Sequence, residues 1–243
     1  MKSLALIALP MILAMGACSE QPEIMPEAQA KQATLAATAE MPIVVELYQS
    51  QGCSSCPPAN AAVNAVADQP GIIALSFAVT YWDRLGWKDV FADKSYTQRQ
   101  YDYAHALGNP NVYTPQIVIN GKTALTGIRK GELSTALRSA KPIADGPKVE
   151  ILPDAVRIGT GTGTANIWLV SYDPRTQNVA IRSGENSGRT LPHKNIVRSL
   201  TKLGVWSGVS TQLKRPMTSQ KGLKNVVLVQ RQGAGPIIAA KTF

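Results

Sequence analysis

Apolar and polar positions along the chain follow two rhythms, and the change between them falls near residue 145. In the first stretch, apolar runs alternate with helical patterns. Ile43-Val44-Val45-Glu46-Leu47-Tyr48 is a β-branched apolar run broken by one acid, which predicts a buried strand. An Ala/Val/Asn stretch over 59–68 predicts a helix, and Pro57 or Pro58 suits its first turn, where a missing N–H costs nothing. Residues 71–80 (GIIALSFAVT) predict a second buried strand, 88–107 a helix ending at Gly108-Asn109-Pro110, and 114–119 a third strand. Asn120-Gly121 signals a hairpin into Thr123-Ala124-Leu125, and 131–140 closes as a short helix. The order β-α-β-α-β-β-α predicts a small α/β sheet over 42–145.

Beyond Pro142, Gly146 and Pro147 the rhythm is that of strands alone. Candidate strands lie at 149–152, 155–158, 165–172, 178–182, 191–203, 226–230 and 237–240, separated by turn residues. Residues 146–243 are therefore expected to form an all-β, sandwich-like C-terminal module. Charge divides the chain in the same place. Residues 1–40 net −2, residues 41–145 net +1 and residues 146–243 net +10. With 44% hydrophobic and 17% charged residues among 243, whole-chain disorder is excluded.

The first 18 residues read as an export signal. One basic residue, Lys2, precedes an apolar run from Leu4 to Ala14 that is too short to span a bilayer. Met15-Gly16-Ala17-Cys18 then resembles a bacterial lipoprotein signal, which implies lipidation of Cys18. Met15 stands where that motif usually has Leu, so ordinary cleavage stays open. Residues 19–41, rich in Ala, Gln, Glu and Pro, are expected to be a flexible tether. Localisation on the periplasmic side of the bacterial envelope follows, by lipid anchor or by secretion. Nucleic acid is not expected as a partner, and the basic excess reads as a solvated face or a surface for anionic polymer or head groups.

The residues that carry chemistry cluster in the first stretch. Cys53 and Cys56 form a C-x-x-C pair between a strand and a helix start, where free N–H groups and the helix dipole stabilise a thiolate. Cys53, the sulfur usually exposed in such a pair, is the expected nucleophile and Cys56 the resolving thiol. A static bridge stapling the turn is the alternative. Thr114-Pro115 before the third strand is the second element. Together with the C-x-x-C, the β-α-β order and the hairpin, it makes residues 43–140 resemble thioredoxin. That resemblance implies a substrate-facing loop at Thr114 and Pro115. Glu46 is expected either to relay a proton to Cys56 from a buried position, or else to point to an edge or pair with a Lys or Arg. Trp82 and Trp87 are candidates to wall a groove beside Cys53, with Asp83 or Arg84 tuning it, or else to pack the two stretches together. His105 falls on a predicted helix and reads as structural.

Four segments, ELYQSQGCSSCPPAN, YWDRLGWKDVFADKSYTQRQ, VYTPQIVINGK and GENSGRTLPHKNIVR, are together similar to the secreted bacterial family called domain of unknown function 1223. The resemblance covers roughly 42–243. It implies a thioredoxin-like domain with an attached β-rich region, and brings no activity with it. Gly184 to Asn195 is a polar loop expected to bind substrate or brace the interface with the first stretch or, more simply, to hold strand register. The functional expectation is a membrane-tethered thiol–disulfide oxidoreductase acting on an envelope protein. It needs no cofactor, and its oligomeric state is open. The alternatives are an envelope binding module with a static disulfide, or a copper(I)-handling protein using the same two thiolates.

Overall fold

The computed structural model describes residues 36–216 and 221–243. The signal, Cys18 and most of the tether lie outside the described residues. Thr38 and Met41 close a turn on each other, and Ala37 packs into the core, so the chain is already anchored before residue 42. No helix among the described residues is long and apolar enough to cross a membrane.

The first stretch runs β1 (Ile43–Gln49), α1 (Pro57–Val66), β2 (Ile72–Ala78), α2 (Lys94–Ala106), β3 (Gln116–Ile119), β4 (Thr123–Leu125) and α3 (Glu132–Ser139). This is the expected order. Helix α2 starts later than the periodicity predicts, because Asp93 caps it by accepting from the Ser95 N–H at 2.8 Å. Asn120-Gly121 makes the expected turn. Gly121 has φ +66°, and a Cβ there would meet the Gly235 carbonyl oxygen at 2.7 Å.

The second stretch contributes β5 (Val149–Ile151), β6 (Ala155–Ile158), β7 (Ala165–Asp173), β8 (Gln177–Ala180), β9 (Thr190–His193), β10 (Ile196–Trp206), β11 (Thr211–Lys214), β12 (Lys224–Arg231) and β13 (Ile237–Thr242). These strands do not form the separate sandwich expected. An eight-stranded mixed sheet runs β13-β12-β7-β10-β2-β1-β3-β4, so the boundary near residue 145 cuts through one sheet. The join lies at β2, which pairs in parallel with β1 and, through Ser76 and Ile196, with β10. The predicted strand 191–203 breaks at Lys194-Asn195. There Asn195 adopts φ +52°, its carbonyl accepts from Ser76 N–H, and its Nδ2 donates to the Ala74 carbonyl.

Along β7 and β12 both faces of this sheet are covered, as their long apolar runs require. On one face of the β7/β12 region, Ile167, Leu169, Val227 and Val229 pack against Val156 and Ile158 of the three-stranded sheet β11-β6-β5. Residues of opposite parity, Val170, Tyr172, Val226 and Leu228, share a core with Tyr96 and Tyr103 of α2. A sandwich layer therefore exists, but its partner layer is the extension of the α/β sheet. Alternation reveals that a strand is buried, not which edge it joins.

Alternation along β1 decides the place of Glu46. Val45 and Leu47 face α1 with Ala59 and Val63, while Val44, Glu46 and Tyr48 face α2. Glu46 accepts from Arg99 Nε at 2.8 Å and from the Tyr103 hydroxyl, and Gln230 Nε2 donates to Tyr103 at 2.9 Å. Burial, above all, holds the Tyr48 and Tyr103 phenols protonated far above their ordinary range, so both remain donors. Glu46 thus takes the ion-pair alternative and lies across the sheet from α1. Replacing Glu46 with Ala strands a guanidinium that is 4% exposed. Glu46→Ala is expected to cost about 3–5 kcal/mol, read as a lower urea midpoint. A cost under about 1 kcal/mol would mean that Arg99 finds solvent.

Candidate functional site

The turn between β1 and α1 is built from consecutive backbone bonds. Cys53 N–H donates to the Ser50 carbonyl and Cys56 N–H to the Cys53 carbonyl. Cys56 occupies the N-cap position of α1 with no side-chain cap, and Pro57 begins the helix. Cys53 and Cys56 are bridged as a disulfide, with Cα atoms 5.4 Å apart. The expectation that Cys53 is the exposed sulfur is not met. Both cysteines are fully buried, while Ser54 and Ser55 between them are exposed.

Three segments close around this turn. The first carries Thr114 and buried Pro115, joined by a cis peptide bond directly before β3. Gln100 of α2 braces it, its Nε2 donating to the Tyr113 carbonyl and to Gln116. The Ser55 hydroxyl donates to the Thr114 carbonyl at 3.4 Å and lies 3.4 Å from Cys53 Sγ. The second segment is the aromatic loop after β2. Trp82 Nε1 donates to Thr114 Oγ1 at 2.7 Å, and the Trp82 Cβ would be 3.6 Å from a Cβ at Gly52. Trp87 Nε1 donates to the Gln51 side chain at 2.8 Å. Asp83 accepts from Asp89 N–H and folds its own loop. Buried Asp89 does reach the turn, accepting from Gln51 N–H at 2.8 Å, while Arg84 is exposed.

The third segment comes from more than 130 residues away. Residues 181–189, between β8 and β9, lie on the outer side of the turn. Asn186 Nδ2 donates to the Gln51 carbonyl at 2.8 Å and to the Cys53 carbonyl at 2.9 Å, and Ser54 N–H donates to Glu185 Oε2 at 3.1 Å. Gly184, at φ +77°, is seated against Trp87. Of the roles expected for this polar loop, bracing against the first stretch is the one these bonds fit, and the point braced is the cysteine turn. The loop's Gly/Asn-rich composition showed a turn; nothing in the linear order showed what the turn touches.

Behind the disulfide, α1 presents Asn60, one turn past Cys56, to Gln49 Oε1 and to His193 Nδ1, each at 3.4 Å. His193 is buried against Phe91, which pushes its pKa down to about 4. Burial pushes Asp89 up to about 6. His105, in the last turn of α2, is exposed. Among the described residues no group of three His, Cys, Asp or Glu side chains gathers to hold a metal. The only thiols described are tied to each other, and His193 bonds to Asn60.

The family model described as "Protein of unknown function (DUF1223)" matches residues 44–230. The chain belongs to this family. Protein AGR_C_4864 from Agrobacterium tumefaciens, known from a crystal structure, is similar to this DUF1223 chain at 29% identity and a TM-score of 0.68. That match covers 86% of this chain and 95% of the other. HBP35 of Porphyromonas gingivalis shares the fold at a TM-score of 0.51 and 11% identity, covering 86% of this chain and 76% of its own. No curated protein matches.

The two buried titratable groups beside the turn give opposite pH slopes. His193 binds its proton less well when folded, so its contribution is present above pH 6.5 and lost as pH falls through about 4. Asp89 binds its proton better when folded, so its contribution is present below pH 3.8 and lost as pH rises through about 6. Replacing His193 with Gln removes only the first slope. Between pH 7 and pH 4.5, H193Q is expected to gain about 2–3 kcal/mol relative to the wild type in denaturant unfolding. Parallel stability curves would show that His193 titrates normally.

Proposed function

We propose that this chain is an exported, lipid-tethered thiol–disulfide oxidoreductase whose first stretch is thioredoxin-like and whose substrate is an envelope protein with thiols or a disulfide. One observation carries the reading: a bonded C-x-x-C pair at a helix start lies beside the Thr114-Pro115 loop, with Ser55 touching both. A partner segment laid along Thr114 would run past Cys53. In exchange, the partner thiolate attacks Cys53 Sγ and breaks the Cys53–Cys56 bond, releasing Cys56 as thiolate. A second thiolate of the partner then attacks the partner sulfur of the mixed disulfide, forms the partner disulfide and expels Cys53 as thiolate, so the pair gains the two electrons the partner loses. Run the other way, the reduced pair opens a partner disulfide. The helix start stabilises the thiolate that forms in either direction.

Glu46 is not part of this proposal, because it sits on the opposite face of β1. Trp82 and Thr114 form the wall beside the turn, and Asp83 only folds the loop that carries Trp82. The competing reading is a static bridge, and the full burial of Cys53 favours it. A bond that no partner reaches needs no redox poise.

Equilibration of full chain carrying Cys18→Ser against glutathione separates the two. A reduction potential of roughly −120 to −270 mV is expected, the range of exchange enzymes. A potential below about −300 mV is that of a structural disulfide and would overturn the reading. In the same background, Cys56→Ser is expected to retain a partner as a mixed disulfide on Cys53, released by dithiothreitol.

A further inference from the structure

We infer that Glu185 and Asn186 form a latch on the disulfide turn, with Glu185 as a charge-sensitive hook that governs which thiols reach Cys53 and how easily the bond opens. This rests on the oxidoreductase reading and adds a specificity-determining element to the same site.

The two residues hold the turn differently. Asn186 is fully buried, and its carboxamide is fully used. Nδ2 serves the carbonyls of Gln51 and Cys53, and Oδ1 accepts from Arg189 Nη1 at 2.7 Å. Neither bond depends on the state of the sulfurs, so Asn186 is a fixed post. Glu185 is exposed, and its carboxylate accepts from the Ser54 N–H, the residue directly after Cys53. Hydrogen bonding to Ser54 holds the Glu185 carboxyl below its usual range, so it is ionised at neutral pH. Gly184 and Gly188, at φ +77° and +81°, flank the pair.

Opening the bond changes what Glu185 meets. Two glutathione thiols supply two electrons and leave as glutathione disulfide, while Cys53 and Cys56 become a thiolate and a thiol. A Cys53 thiolate forms directly beside the Ser54 N–H that Glu185 already occupies, and the two negative charges repel. Glu185 therefore binds the turn more tightly in the disulfide state than in the dithiol state. By linkage, it favours the disulfide by the same factor. Bonded to the residue next to Cys53, its charge also acts on a thiolate reaching the turn through its field, so it opposes an anionic thiol such as glutathione more than a neutral one.

The experiment compares wild type, E185Q and N186A, all in full chain carrying Cys18→Ser, for the rate of disulfide opening by glutathione and by neutral 2-mercaptoethanol. E185Q keeps the hydrogen-bond acceptor and removes the charge. It is expected to react roughly two- to fivefold faster with glutathione and to change less with 2-mercaptoethanol, the difference shrinking in high salt. Its equilibrium with glutathione is expected to move toward the dithiol by a similar factor. N186A removes the post and is expected to accelerate both thiols alike. Equal rates and equilibria for E185Q and wild type would overturn the latch. If glutathione fails to open the wild-type bond, the oxidoreductase reading falls. The ratio of E185Q to wild type with dithiothreitol at low and high salt then judges the latch by itself: a salt-sensitive gain supports it, and none overturns it.

Discussion

The hydrogen bond from Ser76 N–H to the Asn195 carbonyl carries more of this structure than its size suggests. It sits where β10 meets β2, so it turns a small α/β sheet and a set of antiparallel strands into one eight-stranded sheet. Asn195 makes the junction with a left-handed backbone and a second bond, from its side chain to the Ala74 carbonyl. Because β10 begins there, the hairpin β8–β9 before it must pass over α1. His193 then reaches Asn60, and Glu185 and Asn186 reach the cysteine turn. The site depends on this junction although no residue of the junction belongs to the site.

Strand β1 separates two polar systems by its pleat. Glu46 and Tyr48 point to α2, where Arg99, Tyr103 and Gln230 satisfy them and tie α2 to β12. Gln49 points to α1, where Asn60 and His193 form a chain behind Cys56. A shift of one residue in register would exchange the two systems. The buried ion pair is thus a structural device, and the polar groups on the α1 face are the ones that share a helix face with the disulfide.

The site itself combines two opposing conditions. The dipole of a helix start favours a thiolate, yet both sulfurs are sealed and a carboxylate holds the Ser54 N–H next to Cys53. Trp82 and Thr114 enclose the turn from one side and residues 181–189 from the other. Reactivity in such a site is governed by access and local charge as much as by the cysteine spacing.

Much of the local structure could be read from the linear order. The buried run at 43–48, the Pro57 helix start, the Asn120-Gly121 turn and the C-x-x-C are local signals, set by backbone sterics and periodicity within a few residues. The aromatic loop at 82–89 and the polar segment at 184–195 were also visible as unusual compositions. What could not be read was contact across the sheet. Apolar patterning shows that β7 and β12 are buried on both faces and β10 only in part, but not that they extend the sheet of β1 and β2. The same patterning left Glu46 between two roles, which the face of β1 resolves in favour of Arg99. The turn that buries Cys53 is closed by Trp82 and Thr114 and, from more than 130 residues downstream, by Asn186. Local sterics and patterning are written residue by residue, whereas strand order and the partners of a loop are fixed by packing free energy summed over the whole chain.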